Sequence, residues 1–105
     1  MEIDEKIFQL FITGTGECMY QALNRGLGGV IFFSRDIQSE EQFKSLVNRI
    51  IKESKIYPFL SIDQEGGRVE RTENLHARYL SPKFAYQRGI EFLRSQTNDI
   101  ADELC

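Results

Sequence analysis

Tyr57-Pro58-Phe59-Leu60-Ser61-Ile62-Asp63-Gln64-Glu65-Gly66-Gly67-Arg68-Val69-Glu70-Arg71 is an apolar run of strand length that breaks abruptly into acids, paired glycines and arginines. Such a break reads as a buried strand that delivers polar groups to its exit loop. In parallel α/β folds the carboxyl ends of the strands are where ligands bind. A carboxylate at Asp63 with guanidinium groups at Arg68 and Arg71 brings acceptors and donors together. That combination suits a neutral polyhydroxy ligand such as a sugar, or an anion held by the arginines. Gly66 and Gly67 permit backbone dihedrals or close approaches that a side chain would prevent.

Upstream, Val30-Ile31-Phe32-Phe33 is a second apolar run, closed by Ser34-Arg35-Asp36. Without polar alternation it is expected to be a central parallel strand covered on both faces. Arg35 and Asp36 then stand at a second strand exit, either as ligand or loop support or as a local ion pair. Between the two runs, Ser39-Glu40-Glu41-Gln42 has the pattern of a capping box. Phe43, Leu46, Val47, Ile50 and Ile51 follow at helical intervals on one face, opposite an ordinary solvated side carrying Lys44, Asn48, Arg49, Lys52 and Glu53.

Earlier still, Ile3, Ile7, Leu10 and Phe11 suggest a short amphipathic helix passing into an extended run, Leu10 to Thr13. Gly14-Thr15-Gly16 reads as a turn. A dinucleotide fingerprint needs a third glycine where Met19 stands. Met19 to Arg25 predicts a helix with Met19, Ala22 and Leu23 on its apolar side, ended by Gly26 and the Gly28-Gly29 pair. The order strand, helix, strand, helix, strand points to parallel β-α units.

Downstream, Thr72 to Ser81 has no useful period and reads as a loop. His76 within it is either a hydrogen-bond partner for a ligand near Asp63 or a loop surface residue. Ser81-Pro82 opens helical structure that runs through the tail, with interruptions expected near Gly89 and Thr97-Asn98.

A chain of 105 residues makes one small domain, 1–105, against about 250 residues for a complete eight-stranded α/β barrel. A net charge of -3 gives no electrostatic case for nucleic acid. No stretch approaches the roughly 20 apolar residues of a membrane span. The opening Met1-Glu2-Ile3-Asp4-Glu5 lacks a basic leader, so a cytoplasmic location is the expectation. Cys18 reads as a small apolar filler and Cys105 as an ordinary thiol; the pair makes no disulfide scaffold and no metal-ligand spacing. His76 is the sole histidine, which excludes a multi-histidine metal site within this polypeptide. No metal and no organic cofactor is called for.

The string Asp63-Gln64-Glu65-Gly66-Gly67-Arg68-Val69-x-Arg71 resembles the hallmark of the amino-terminal barrel domain of family 3 glycoside hydrolases, nearest the bacterial β-N-acetylhexosaminidase branch. Gln9-Leu10-Phe11 resembles the family's first strand, and Gly28-Gly29-Val30-Ile31-Phe32-Phe33-Ser34-Arg35-Asp36-Ile37 its second, with Asp36 where asparagine is common. The tail Asn98 to Leu104 resembles the helix before the fourth strand. The segment Leu75 to Pro82 departs from the family's usual loop.

The resemblance implies an α/β fold, an incomplete TIM-type (β/α) barrel of about three parallel strands with helices, forming the amino-terminal fragment of such a domain. It implies that Asp63 binds hydroxyls of a terminal sugar, that Arg71 organises or contacts that sugar, and that Glu65, Gly66, Gly67 and Arg68 support the loop. It assigns no catalytic residue here, because the family's nucleophile and acid/base residues lie in later motifs absent from this chain. The implied parent is a retaining hydrolase of terminal β-linked sugars, a β-N-acetylhexosaminidase or a β-glucosidase, with a carbohydrate partner such as a β-N-acetylglucosaminide, for example one derived from peptidoglycan. Three outcomes are open for the chain itself: an inactive piece of a hydrolase, a nonenzymatic carbohydrate-binding module, or a degenerate structural product that self-associates through an unpaired sheet edge.

Overall fold

The computed structural model describes residues 1–105. Three parallel strands form one sheet in sequence order: β1 (Ile12–Thr13), β2 (Gly29–Phe32) and β3 (Phe59–Ile62). Registers pair Ile12 with Gly29 and Thr13 with Val30 on one side of β2, and Gly29 with Phe59 through Phe32 with Ile62 on the other. The expected α/β class with three parallel strands is therefore present, and the sheet is open. The strands follow one another across it without the reversal of a doubly wound sheet.

Helices α1 (Ile3–Phe8), α2 (Met19–Asn24) and α3 (Glu40–Glu53) precede β1, β2 and β3 respectively. The capping box of α3 forms as read: the Gln42 N–H donates to Ser39 Oγ at 3.1 Å, and Gln42 Oε1 accepts from the Ser39 N–H at 3.4 Å. Ser81 likewise caps α4 (Pro82–Gln87), with Pro82 in its first turn. Gly89, at φ 108°, separates α4 from α5 (Ile90–Leu104), which runs unbroken past Thr97-Asn98.

Because side chains alternate across a strand, Val30, Phe32, Leu60 and Ile62 share one face of the sheet. That face holds the core: Met19, Leu23, Leu27, Val30, Phe32, Ile37 and Ile50 are buried, with Phe43, Leu46 and Val47 of α3 packed against them. Phe32 and Phe43 meet edge to face with centroids 4.9 Å apart.

The opposite face has no covering layer. Ile12 is 56% exposed and Phe59 78% exposed. So β3, read from sequence as buried, is an edge strand with one face partly covered. No fourth strand pairs with it among these residues. Ile3 and Ile7 of α1 and the adjoining Leu10 and Phe11 are also exposed. The apolar stripe that predicted this helix therefore has nothing to cover it. Cys18, expected as core filler, is exposed just before α2. The radius of gyration, 16.2 Å, exceeds the value of about 13 Å for a compact chain of this length.

Candidate functional site

Parallel pairing places the exits of β1, β2 and β3 at one end of the sheet. At the β2 exit a single 3-10 turn, Ser34–Asp36, folds the chain back. The buried Asp36 carboxylate accepts from the Phe33 N–H at 2.8 Å and from the Thr15 hydroxyl. Asp36 thus fastens the turn after β1 to the exit of β2, and of its two sequence readings loop support is the one observed. Arg35 is exposed, its guanidinium carbon 5.2 Å from the Phe33 ring centroid.

Asp63 is the first residue beyond β3, and its side chain is 53% exposed. Arg71 Nη2 lies 4.0 Å from Asp63 Oδ2, beyond hydrogen-bond reach. The Arg71 guanidinium rests 5.0 Å from the Phe33 ring centroid, and its buried Nε has no acceptor in the protein. The fold thus brings Asp63 and Arg71 together across eight residues of sequence and leaves both with unused hydrogen-bonding capacity.

The intervening loop is held by its backbone. The N–H groups of Glu65 and Gly66 donate to the Val69 carbonyl at 2.9 and 3.1 Å, and the Gly67 N–H donates to the Tyr79 carbonyl at 2.8 Å. Both glycines have positive φ, 86° and 67°. The Glu65 and Arg68 side chains point to solvent. Gln64 bridges the loop internally: its Oε1 accepts from the Arg71 N–H, and its Nε2 donates to Thr72 Oγ1, both at 2.8 Å.

Glu70, 1% exposed, accepts from the Tyr79 N–H at 2.8 Å through Oε1, while its Oε2 is buried without a partner. The Ser34 hydroxyl donates to the Glu70 carbonyl, and the Asn74 amide donates to the carbonyls of Ser34 and Ile37. The loops beyond β2 and β3 are thereby tied into one unit. The sequence reading gave Gln64, Glu70 and Thr72 no role of their own, because their partners are backbone groups, residues of the non-periodic loop and, for Thr72, Glu103 of α5.

His76 faces α5. Its Nε2 is 2.6 Å from Glu103 Oε1 and 3.0 Å from Thr72 Oγ1, while Nδ1 is 2.6 Å from the Ala77 carbonyl. The Tyr79 hydroxyl donates to Glu103 Oε2 at 3.2 Å. Of the two sequence readings of His76, neither named this partner, which lies 27 residues downstream in the numbering. Partial burial opposes charge on the ring, but the Ala77 carbonyl and the Glu103 carboxylate outweigh it and raise the His76 pKa. Burial, and after it Glu103, pushes the Tyr79 phenol up to about 12, so this hydroxyl stays a donor at neutral pH.

A raised pKa in the folded chain means that His76⁺ contributes stability fully below its unfolded value of about 6.5 and loses it as pH rises through the folded value. The urea midpoint of the chain is therefore expected to fall from about pH 6.5 upward, and to fall less in Glu103→Gln. Equal pH dependence in the two chains would remove Glu103 as the cause.

No group of three or more His, Cys, Asp and Glu side chains converges on a point suited to a metal ion. No helix is long and apolar enough to cross a membrane.

Sequence comparison adds a relationship to this geometry. The chain is 41% identical over 56 residues to a β-hexosaminidase of Alkalilimnicola ehrlichii, covering 53% of this chain and 16% of that protein. It is 34% identical over 71 residues to a β-hexosaminidase of Photobacterium profundum, covering 65% of this chain and 21% of that protein. Part of this chain is homologous to β-hexosaminidases. The matched segments span about a fifth or less of each relative's length. No family model matches the chain, and no solved structure matches it significantly.

Proposed function

We propose that this chain forms part of the sugar pocket of a retaining glycoside hydrolase of family 3, acting on terminal β-linked N-acetylglucosamine of peptidoglycan-derived fragments. The observation that carries this reading is the Asp63–Arg71 pair at the β3 exit: a half-exposed carboxylate and a stacked guanidinium, 4.0 Å apart and not hydrogen-bonded to each other. The partial homology to β-hexosaminidases supports it.

A carboxylate has two oxygens that accept from neighbouring sugar hydroxyls, and the planar guanidinium donates to ring substituents beside them. Phe33 holds the Arg71 plane, limiting the rotamer freedom otherwise lost on binding. Glu65, Gly66, Gly67 and Arg68 shape the loop that presents the pair. A retaining hydrolase further needs two carboxylate-equivalent groups about 5 to 5.5 Å apart across the scissile bond. Asp63 serves as a sugar ligand in this reading, and these 105 residues bind without turning over.

The test is a calorimetric titration of the purified chain with N-acetylglucosamine, alongside an aryl β-N-acetylglucosaminide as a reporter of hydrolysis. Binding is expected to weaken at least tenfold in Asp63→Asn, matching the roughly 1.5 to 3 kcal/mol of hydrogen bonds to a charged group. Unchanged affinity in that variant would sink the assignment of Asp63. Release of the aryl group by the wild-type chain would sink the purely binding role.

A further inference from the structure

A continuous line of polar contacts runs from the last turn of α5 to the Asp63–Arg71 pair. Glu103 meets His76; His76 and Glu103 both meet Thr72; Thr72 accepts from Gln64; Gln64 accepts from the backbone N–H of Arg71. Thr72 is 3% exposed, so solvent does not compete for its hydroxyl.

The proton count along this line is constrained. His76 Nδ1 faces the Ala77 carbonyl at 2.6 Å and Nε2 faces Glu103 Oε1 at 2.6 Å. Both neighbours are acceptors, so this geometry requires a proton on each ring nitrogen. The Thr72 hydroxyl has one proton. With His76 charged, that proton goes to Glu103 Oε2, 3.4 Å away, and the Thr72 oxygen remains free to accept from Gln64 Nε2. When Nε2 loses its proton, its lone pair confronts the Glu103 carboxylate. The Thr72 proton then turns to Nε2 at 3.0 Å, and the Glu103 contact to the ring is lost.

We propose that His76, Glu103 and Thr72 are positioning residues for the sugar-binding pair, acting through Gln64 to hold Arg71 beside Asp63. The Thr72 hydroxyl has an acceptor in either state, Glu103 when His76 is charged and His76 itself when it is neutral, so its oxygen stays turned to Gln64 throughout. The groups facing the ring are the Glu103 carboxylate from α5 and, within its own loop, the Tyr79 phenol, whose ring centroid is 4.8 Å away, and the more distant Glu70 carboxylate. Asp99 of α5 acts on Tyr79. Tyr79 stays neutral at physiological pH, so His76 is the member of this group that changes charge there. The meaning of the relay for sugar binding rests on the proposed function; its existence does not.

The experiment is amide hydrogen exchange of the Arg71 N–H in the ligand-free chain, corrected for intrinsic rate and referenced to the core amides of Val30 and Ile50. Arg71 exchange so corrected is expected to stay level as pH rises through the His76 midpoint, because Gln64 keeps its acceptor on Thr72 in both states. Thr72→Val, which keeps the shape and removes the hydroxyl, is expected to speed Arg71 exchange by roughly threefold to tenfold at every pH with no matching change in the core amides, and Thr72→Ser to restore the wild-type rate. Arg71 exchange that speeds at the His76 midpoint while the core amides do not overturns the proposal. So does a Thr72→Val chain whose Arg71 amide exchanges at the wild-type rate. The same variants are then titrated with N-acetylglucosamine. Failure of that sugar to bind any of them counts against the proposed function and leaves the exchange result standing.

Discussion

Gly66→Ala is expected to lower the stability of the chain by about 2 to 5 kcal/mol, the sum of left-handed backbone strain and overpacking. Gly66 sits at φ 86°, where an L side chain is strained, and a Cβ there would overlap the Leu80 carbonyl oxygen. Backbone cannot swing aside as the tip of a long side chain does. At Gly67, a Cβ would stand 2.9 Å from Ser81 Cβ, so the neighbouring position offers no relief. The substitution would force residues 79–81 away from the loop, and with them the Tyr79 contacts to Glu70 and Glu103. Gly16→Ala is the control: nothing lies within 4 Å of its Cβ position, and its φ is not positive. That change is expected to stay within about 0.5 kcal/mol. The comparison is read from urea unfolding midpoints of the purified chains. Equal midpoints for Gly66→Ala and wild type would show that the loop does not pack against Leu80.

Ile50→Ala is expected to cost about 2 to 5 kcal/mol, the range for emptying a closed core position. Ile50 is fully buried between α3 and the helix-facing side of the sheet, in a core of only seven buried residues. Few neighbours are available to collapse into the space. Phe59→Ala removes a larger side chain, yet is expected to cost under about 1 kcal/mol, because the ring is 78% exposed and leaves no cavity. If Phe59→Ala destabilised the chain as much as Ile50→Ala, the open sheet face would be covered in solution. A concentration-dependent mass would then identify a second copy of the chain as the cover.

The elements that local signals specify were legible. The Ser39–Gln42 box, the apolar stripe of α3, the Ser81-Pro82 start and the three apolar runs all appear where their residues place them. Each depends on contacts within a few residues or on a face that a neighbouring element covers. Expectations failed where the covering element was the unknown. The stripe of α1 and one face of β3 are apolar but open, and Cys18 lies outside the core. An apolar residue announces that burial would be favourable, and only the arrangement of the other elements decides whether a surface is there to bury it.

The site divides along the same line. Asp63 and the glycine pair were visible because a strand exit marks its own loop through the change from apolar to polar residues and through the need for positive φ. The chain's alternation of strands and helices determined the parallel sheet, the common end of its strand exits, and the residues delivered there. The 4.0 Å approach of Arg71 to Asp63, the stacking on Phe33 and the closure of His76 on Glu103 were decided by tertiary structure alone. Those contacts depend on how separate segments pack, and hydrogen-bond direction, distance and burial have no expression in the linear order until the loop beyond β3 packs against the loop beyond β2 and against α5.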